Sequence, residues 1–168
     1  MRKSRRGAIV ALLALLGAAP AQSDPAALRA DRLLVRKAER TLEVYFRDVR
    51  QKSYRVALGS SPVGPKREQG DQRTPEGTYT VVRHLPKTTF HRALLLSYPN
   101  DNDAARARAA GVNPGSSIEI HGLRDDFRWV GSAHVLFDWT NGCIALTNRE
   151  IDELSAAVPD GTPVEIVP

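Results

Sequence analysis

Residues 41–58 read TLEVYFRDVRQKSYRVAL. Leu42, Val44 and Phe46 fall on one face of an extended chain, and Tyr54, Val56 and Leu58 repeat the pattern. A period of two is the mark of a half-buried strand. The polar run Asp48 to Lys52 between them reads as a turn, so consecutive antiparallel pairing is the simplest arrangement.

The same grammar extends in both directions. Leu33-Leu34-Val35 forms an earlier strand, joined through a polar turn at Arg36 to Arg40. Downstream, GSSPVGPKREQGDQRTPEG (residues 59–77) is a long loop rich in Gly, Pro and charge. Loops of this length without their own structure tend to be functional. Strands are expected at Thr78 to Arg83, Ala93 to Ser97 and Ser117 to His121, with a short solvated helix over Asn100 to Ala110. Thr147 and Glu150 match a capping box, so a helix starts near Asn148. Ile151, Leu154 and Val158 give that helix one apolar face, and Pro159-Asp160-Gly161 stops it. Val164 and Ile166 close the chain as a strand. The fold class is mainly β with a few peripheral helices, in a single domain.

The first residues follow a different rule. Arg2, Lys3, Arg5 and Arg6 precede an apolar run from Ala8 to Ala19, and Ala19-Pro20-Ala21 fits small-x-small cleavage. That order describes a secretory signal peptide over residues 1–21, and the run is too short to span a bilayer, which needs ~20 residues. A flexible leader, residues 22–30, then leads to the domain at 31–168. The whole chain carries 24 Lys and Arg against 19 Asp and Glu. Four of those basic residues lie in 1–21, so the remainder has 20 against 19 and a net charge of +1. Nucleic-acid binding, which needs a clustered basic face, loses its support. The expected address is exported and periplasmic, with no stable membrane insertion after cleavage.

An exported chain with one cysteine cannot form an internal disulfide, and Cys143 is the only one. It is either a buried packing residue or a nucleophile. As a nucleophile it needs a base. His121, at a strand end beside Gly122, is placed more rigidly than His134, which sits in an aromatic segment that reads as a lid or pocket wall. His84 and His91 read as surface residues. The Gly122 carbonyl or Asp138 can orient the imidazole, and the N–H groups of Gly142 and Cys143 can stabilise an oxyanion. The spacings of His121, His134 and Cys143, 13 and 9 residues, are unlike those of a zinc site.

His121-Gly122 at a strand end and the downstream Thr140-Asn141-Gly142-Cys143-Ile144 together resemble the L,D-transpeptidase catalytic domain (YkuD-type). The run Arg73-Thr74-Pro75-Glu76-Gly77-Thr78-Tyr79 looks like that family's entry to a strand, and the resemblance covers Asp31 to Val167. It implies an L,D-transpeptidase-like β-sandwich or barrel. It also implies a cysteine-dependent acyltransferase in cell wall biogenesis, acting on peptidoglycan tetrapeptide stems. Cys143 would form an acyl-thioester with release of the terminal D-alanine, then pass the acyl group to an amine on an envelope protein or a second muropeptide. His121 would be the general base and acid, Gly122 and Gly142 the orienting and oxyanion groups, and His134, Asn141, Trp139 and Arg73 the substrate contacts. No metal or cofactor is implied. Three departures stand out: Asn141 and Ala145 replace the commoner His and Arg, and 22 residues separate His121 from Cys143, more than is usual. The extra length falls in Leu123 to Trp139, which reads as an altered lid. An L,D-carboxypeptidase, a peptidoglycan amidase or endopeptidase, and a non-catalytic wall-binding module are the competing readings.

Overall fold

The computed structural model describes residues 27–168. The expected signal peptide and residues 22–26 of the leader lie outside the described residues. The rest of the leader is docked, in contrast to the expected flexible segment: Leu28 packs on the core, the Ala30 N–H donates to the Ala157 carbonyl at 3.2 Å, and Arg29 stacks over Phe46.

The alternation read from residues 41–58 builds a three-stranded meander of β1 (Arg32–Arg36), β2 (Thr41–Phe46) and β3 (Val49–Arg55). Leu33 faces Val44, and Leu42 faces Tyr54. The turn between β2 and β3 is shorter than expected. Arg47 and Asp48 both take positive φ, 50° and 61°, so two residues reverse the chain and Val49 to Lys52 join the strand. Such turns match the right-handed twist of the strands they connect. The sequence pattern hides this because β3 is an edge strand with exposed, charged outer residues, as edge strands commonly are.

Five more strands complete one sheet: β4 (Gly77–Thr88), β5 (His91–Leu96), β6 (Glu119–His121), β7 (Ile144–Ala145) and β8 (Pro163–Val167), in the order β3-β2-β1-β8-β4-β5-β6-β7. Consecutive antiparallel pairing does not describe all of it, since β1–β8 and β6–β7 are parallel. β4 runs through most of the expected polar link, with irregular register around Val82 and Pro86. Beyond β3 the chain crosses to the far end of the sheet, where Ala57 and Ala145 exchange two backbone hydrogen bonds of 3.2 and 2.8 Å. Residues 57–60 therefore join the sheet's two ends beside the Cys143 turn.

Helix α1 (Asp101–Ala110) is capped by Asn100. It is less solvated than expected, because Asp103 is buried, accepts from the Tyr79 hydroxyl at 3.0 Å and pairs with Arg106. Helix α2 (Asn148–Ala157) starts with the expected box, in which Thr147 and Glu150 cap one another, and buries Ile151 and Leu154. His84 and His91 are not free surface residues: they bond Ser155 and Asp152 of α2, at 3.0 Å each. The core joins β-strand residues such as Val35, Val44, Leu94 and Ile120 to this helix face. No helix among the described residues is long and apolar enough to cross a membrane.

Candidate active site

β6 is hydrogen-bonded on both sides, to β5 and to β7, which fixes His121 at its end. The imidazole is buried, and its Nδ1 lies 2.7 Å from the Gly122 carbonyl oxygen. A carbonyl only accepts, so Nδ1 carries the proton and Nε2 is the basic nitrogen. Asp138, the alternative orienting group, is occupied elsewhere. It pairs with Arg40 at 2.8 Å and accepts the Leu58 N–H at 2.9 Å, strapping the Cys143 turn to the chain that leaves β3. Gly122 has a reason beyond turning the chain. A Cβ there would lie 2.7 Å from Asn148 Oδ1 and 3.0 Å from Ile151 Cγ2, so only glycine lets β6 close on the start of α2.

The register of β6 with β7 sets Cys143 one residue before the strand that pairs with His121. Sγ and the imidazole share a cavity of about 320 Å³ but are not hydrogen-bonded to one another; the Sγ contact is Ser117 O, at 3.8 Å. Thr140 holds the turn: its hydroxyl donates to the Cys143 carbonyl at 2.7 Å and accepts the Gly142 N–H at 3.1 Å. This corrects the expected pair of oxyanion donors. The Gly142 N–H is committed to Thr140, and the Cys143 N–H remains unpartnered among the described residues. Gly142 is required because φ is 123° and a Cβ would lie 2.6 Å from the Arg73 carbonyl oxygen. The close neighbour at Gly142 is thus the chain's own backbone.

Burial favours the neutral form of both groups. Burial pushes the Cys143 thiol up to about 11; the nearby Glu119 backbone and the Lys66 charge offset only part of the effect, and the Glu119 carboxylate adds to it. Burial pushes His121 down to about 4, partly opposed by the bond to Gly122 and reinforced by His134.

The other expected contacts divide. Asn141 and Trp139 line the shared cavity with Phe90, Thr140 and Arg124. The Phe90 ring lies 4.4 Å from the imidazole centroid and 6.3 Å from Trp139. Phe90 was not foreseen, because it falls in a stretch that reads as polar. His134 and Arg73 do not line the cavities that Cys143 borders. His134 is buried against β3 and Glu150, around a separate space of about 260 Å³. The Arg73 guanidinium lies beside Gly64, and only its backbone approaches the Cys143 turn. Cys143 and Asn141 also border a second cavity of about 390 Å³, lined by Lys66, Gln69, Gln72 and Ser117. Lys66 is buried, with its ammonium held by Asp71 at 2.7 Å and the Glu68 carbonyl at 3.1 Å.

The L,D-transpeptidase catalytic domain model (YkuD) matches residues 30–166, a span that takes in both His121 and Cys143. The chain belongs to the L,D-transpeptidase catalytic domain family. It is 34% identical over 125 residues to the Escherichia coli (strain K12) protein named "Putative L,D-transpeptidase YafK", covering 70% of this chain and 43% of that one. Among solved structures it resembles the helical cell shape determining protein Pgp2 of Campylobacter jejuni. That match has a TM-score of 0.62 and 27% identity, and covers 80% of this chain and 46% of Pgp2. Bd1075 of Bdellovibrio bacteriovorus matches with a TM-score of 0.59 and 27% identity, over 86% of this chain and 50% of that one. The chain thus spans about half the length of these relatives or less. Ala145, which stands where the resemblance would place an arginine, is buried, and its backbone is bridged to Ala57.

Proposed function

We propose that this protein is a cysteine acyltransferase of peptidoglycan metabolism that works on tetrapeptide stems in the cell envelope after export. The observation that carries the reading is the cavity shared by Cys143 and a neutral, carbonyl-oriented His121. Burial disfavours both the thiolate and the imidazolium, so a resting ion pair is disfavoured. Proton transfer therefore accompanies attack and does not precede it. Sγ adds to the stem carbonyl as Nε2 takes the thiol proton, and the oxygen accepts from the Cys143 N–H. Collapse breaks the amide bond, and Nε2 returns the proton to the leaving D-alanine amine. The thioester then loses its acyl group to an incoming amine, whose proton passes to Nε2 and on to the released thiol. On the same geometry, water as acceptor gives an L,D-carboxypeptidase.

Incubation with disaccharide-tetrapeptides and mass analysis of the products tests the proposal. Dimers lacking one D-alanine mean transfer, and tripeptides alone mean hydrolysis. Cys143→Ala should abolish turnover and His121→Ala should remove most of it, while His134→Ala should be milder. Unchanged muropeptides with the wild-type protein would favour the wall-binding module.

A further inference from the structure

Cys143 borders two cavities, and His121 lines only one of them. That asymmetry assigns the two sides. The group that leaves must take its proton from His121 Nε2, so the released residue occupies the cavity with the imidazole. The acyl portion that stays on sulfur occupies the other, beside Lys66. The released residue is the stem's C-terminal one, and its carboxylate carbon is two bonds from the leaving nitrogen, ~2.5 Å away. Arg124 is the cation that lines the His121 cavity. We propose that Arg124 is a specificity-determining residue that binds the free α-carboxylate of the residue released from the stem, an inference that rests on the acyl-transfer reading of Cys143.

The arrangement of Arg124 suits that task. At rest its Nε and Nη2 donate to the two carboxylate oxygens of Asp126, at 3.1 and 3.0 Å. Both side chains are more than half exposed, 53% and 68%, so this pair holds weakly and can be exchanged. The planar guanidinium already presents two parallel N–H groups to one carboxylate, the geometry a substrate carboxylate would reuse. Asp126, with Arg124, also borders the adjoining cavity of about 340 Å³ formed with Phe127 and Trp139. Its charge competes for Arg124 and repels an incoming anion. Lys66 is a poorer candidate for this end of the substrate, since it lies on the acyl side and is already engaged by Asp71.

The test compares disaccharide-tetrapeptides ending in a free carboxylate with the same compounds ending in a carboxamide, following release of the terminal residue. The wild-type protein should prefer the acid by roughly 10- to 100-fold in kcat/KM, the range expected for charge-assisted hydrogen bonds. Arg124→Gln should lower the acid far more than the amide, bringing the acid-to-amide ratio in kcat/KM to about one. Asp126→Asn should lower KM for the acid alone. Arg124→Lys should restore part of the preference. An acid preference that survives Arg124→Gln, or an equal loss on both substrates, would overturn the assignment. Turnover by the wild-type protein with no preference would overturn it while leaving acyl transfer intact. No turnover of either substrate would overturn both.

Discussion

The neutral state of Cys143 can be tested by alkylation as a function of pH. The perturbation is burial, which raises the thiol to about 11 against ~8.5 for an unperturbed cysteine. At pH 8 the thiolate fraction is then ~0.001 in the folded protein and ~0.25 in an unfolded chain, a ratio of roughly 250. A more basic thiolate is also a better nucleophile. With a Brønsted slope of ~0.45, a rise of ~2.5 units in thiol pKa returns about tenfold. Iodoacetamide should therefore label folded Cys143 roughly 20-fold more slowly than the urea-unfolded chain at pH 8. The folded rate should climb about tenfold per pH unit from 8 to 10, with circular dichroism confirming that the fold persists. His121→Ala should leave that slope unchanged, because the imidazole is not hydrogen-bonded to the sulfur at rest. A labelling rate that is independent of pH between 6 and 8 would refute the reasoning, since it would report a preformed thiolate–imidazolium pair.

Gly142→Ala should cost about 2 kcal/mol in urea unfolding, from the positive φ and the clash with the Arg73 carbonyl, and should abolish turnover. Thr140→Val keeps the shape but strands the Gly142 N–H, so a loss of roughly 1–3 kcal/mol and a fall in kcat larger than any change in KM are expected. His121 has a folded pKa depressed to about 4, so its contribution is complete above ~6.5 and is lost as pH falls toward 4. That contribution is roughly 3 kcal/mol, and His121→Gln should flatten the stability curve between pH 6.5 and 4 when unfolding is followed by denaturant titration.

Much of the fold was legible wherever local pattern and burial coincide. The alternation of Leu42, Val44, Tyr54 and Val56 reports strands with one face in the core, and the Thr147–Glu150 box marks the start of α2. Elements set by tertiary pairing were not legible. The parallel joining of β1 to β8 links residues some 130 apart, and nothing local encodes it. The outer half of β4 and the start of β3 carry polar edge residues that read as turns. Buried charges are hidden for the same reason: Lys37 is buried because the Gly64 and Thr74 carbonyls and Glu76 converge on its ammonium. At the site, the His121-Gly122 orienting bond depends on neighbouring atoms and was readable. The loss of the Gly142 N–H to Thr140, the position of Phe90 and the displacement of His134 depend on how distant segments pack, and were not.

Intact-protein mass measurement during turnover of a tetrapeptide stem tests acyl transfer at Cys143 most directly. The account predicts a transient adduct equal to the stem minus its terminal alanine, located on Cys143, sensitive to hydroxylamine and absent from Cys143→Ala. Stem turnover that continues in Cys143→Ala, or a protein that forms no adduct while stems stay intact, would contradict it.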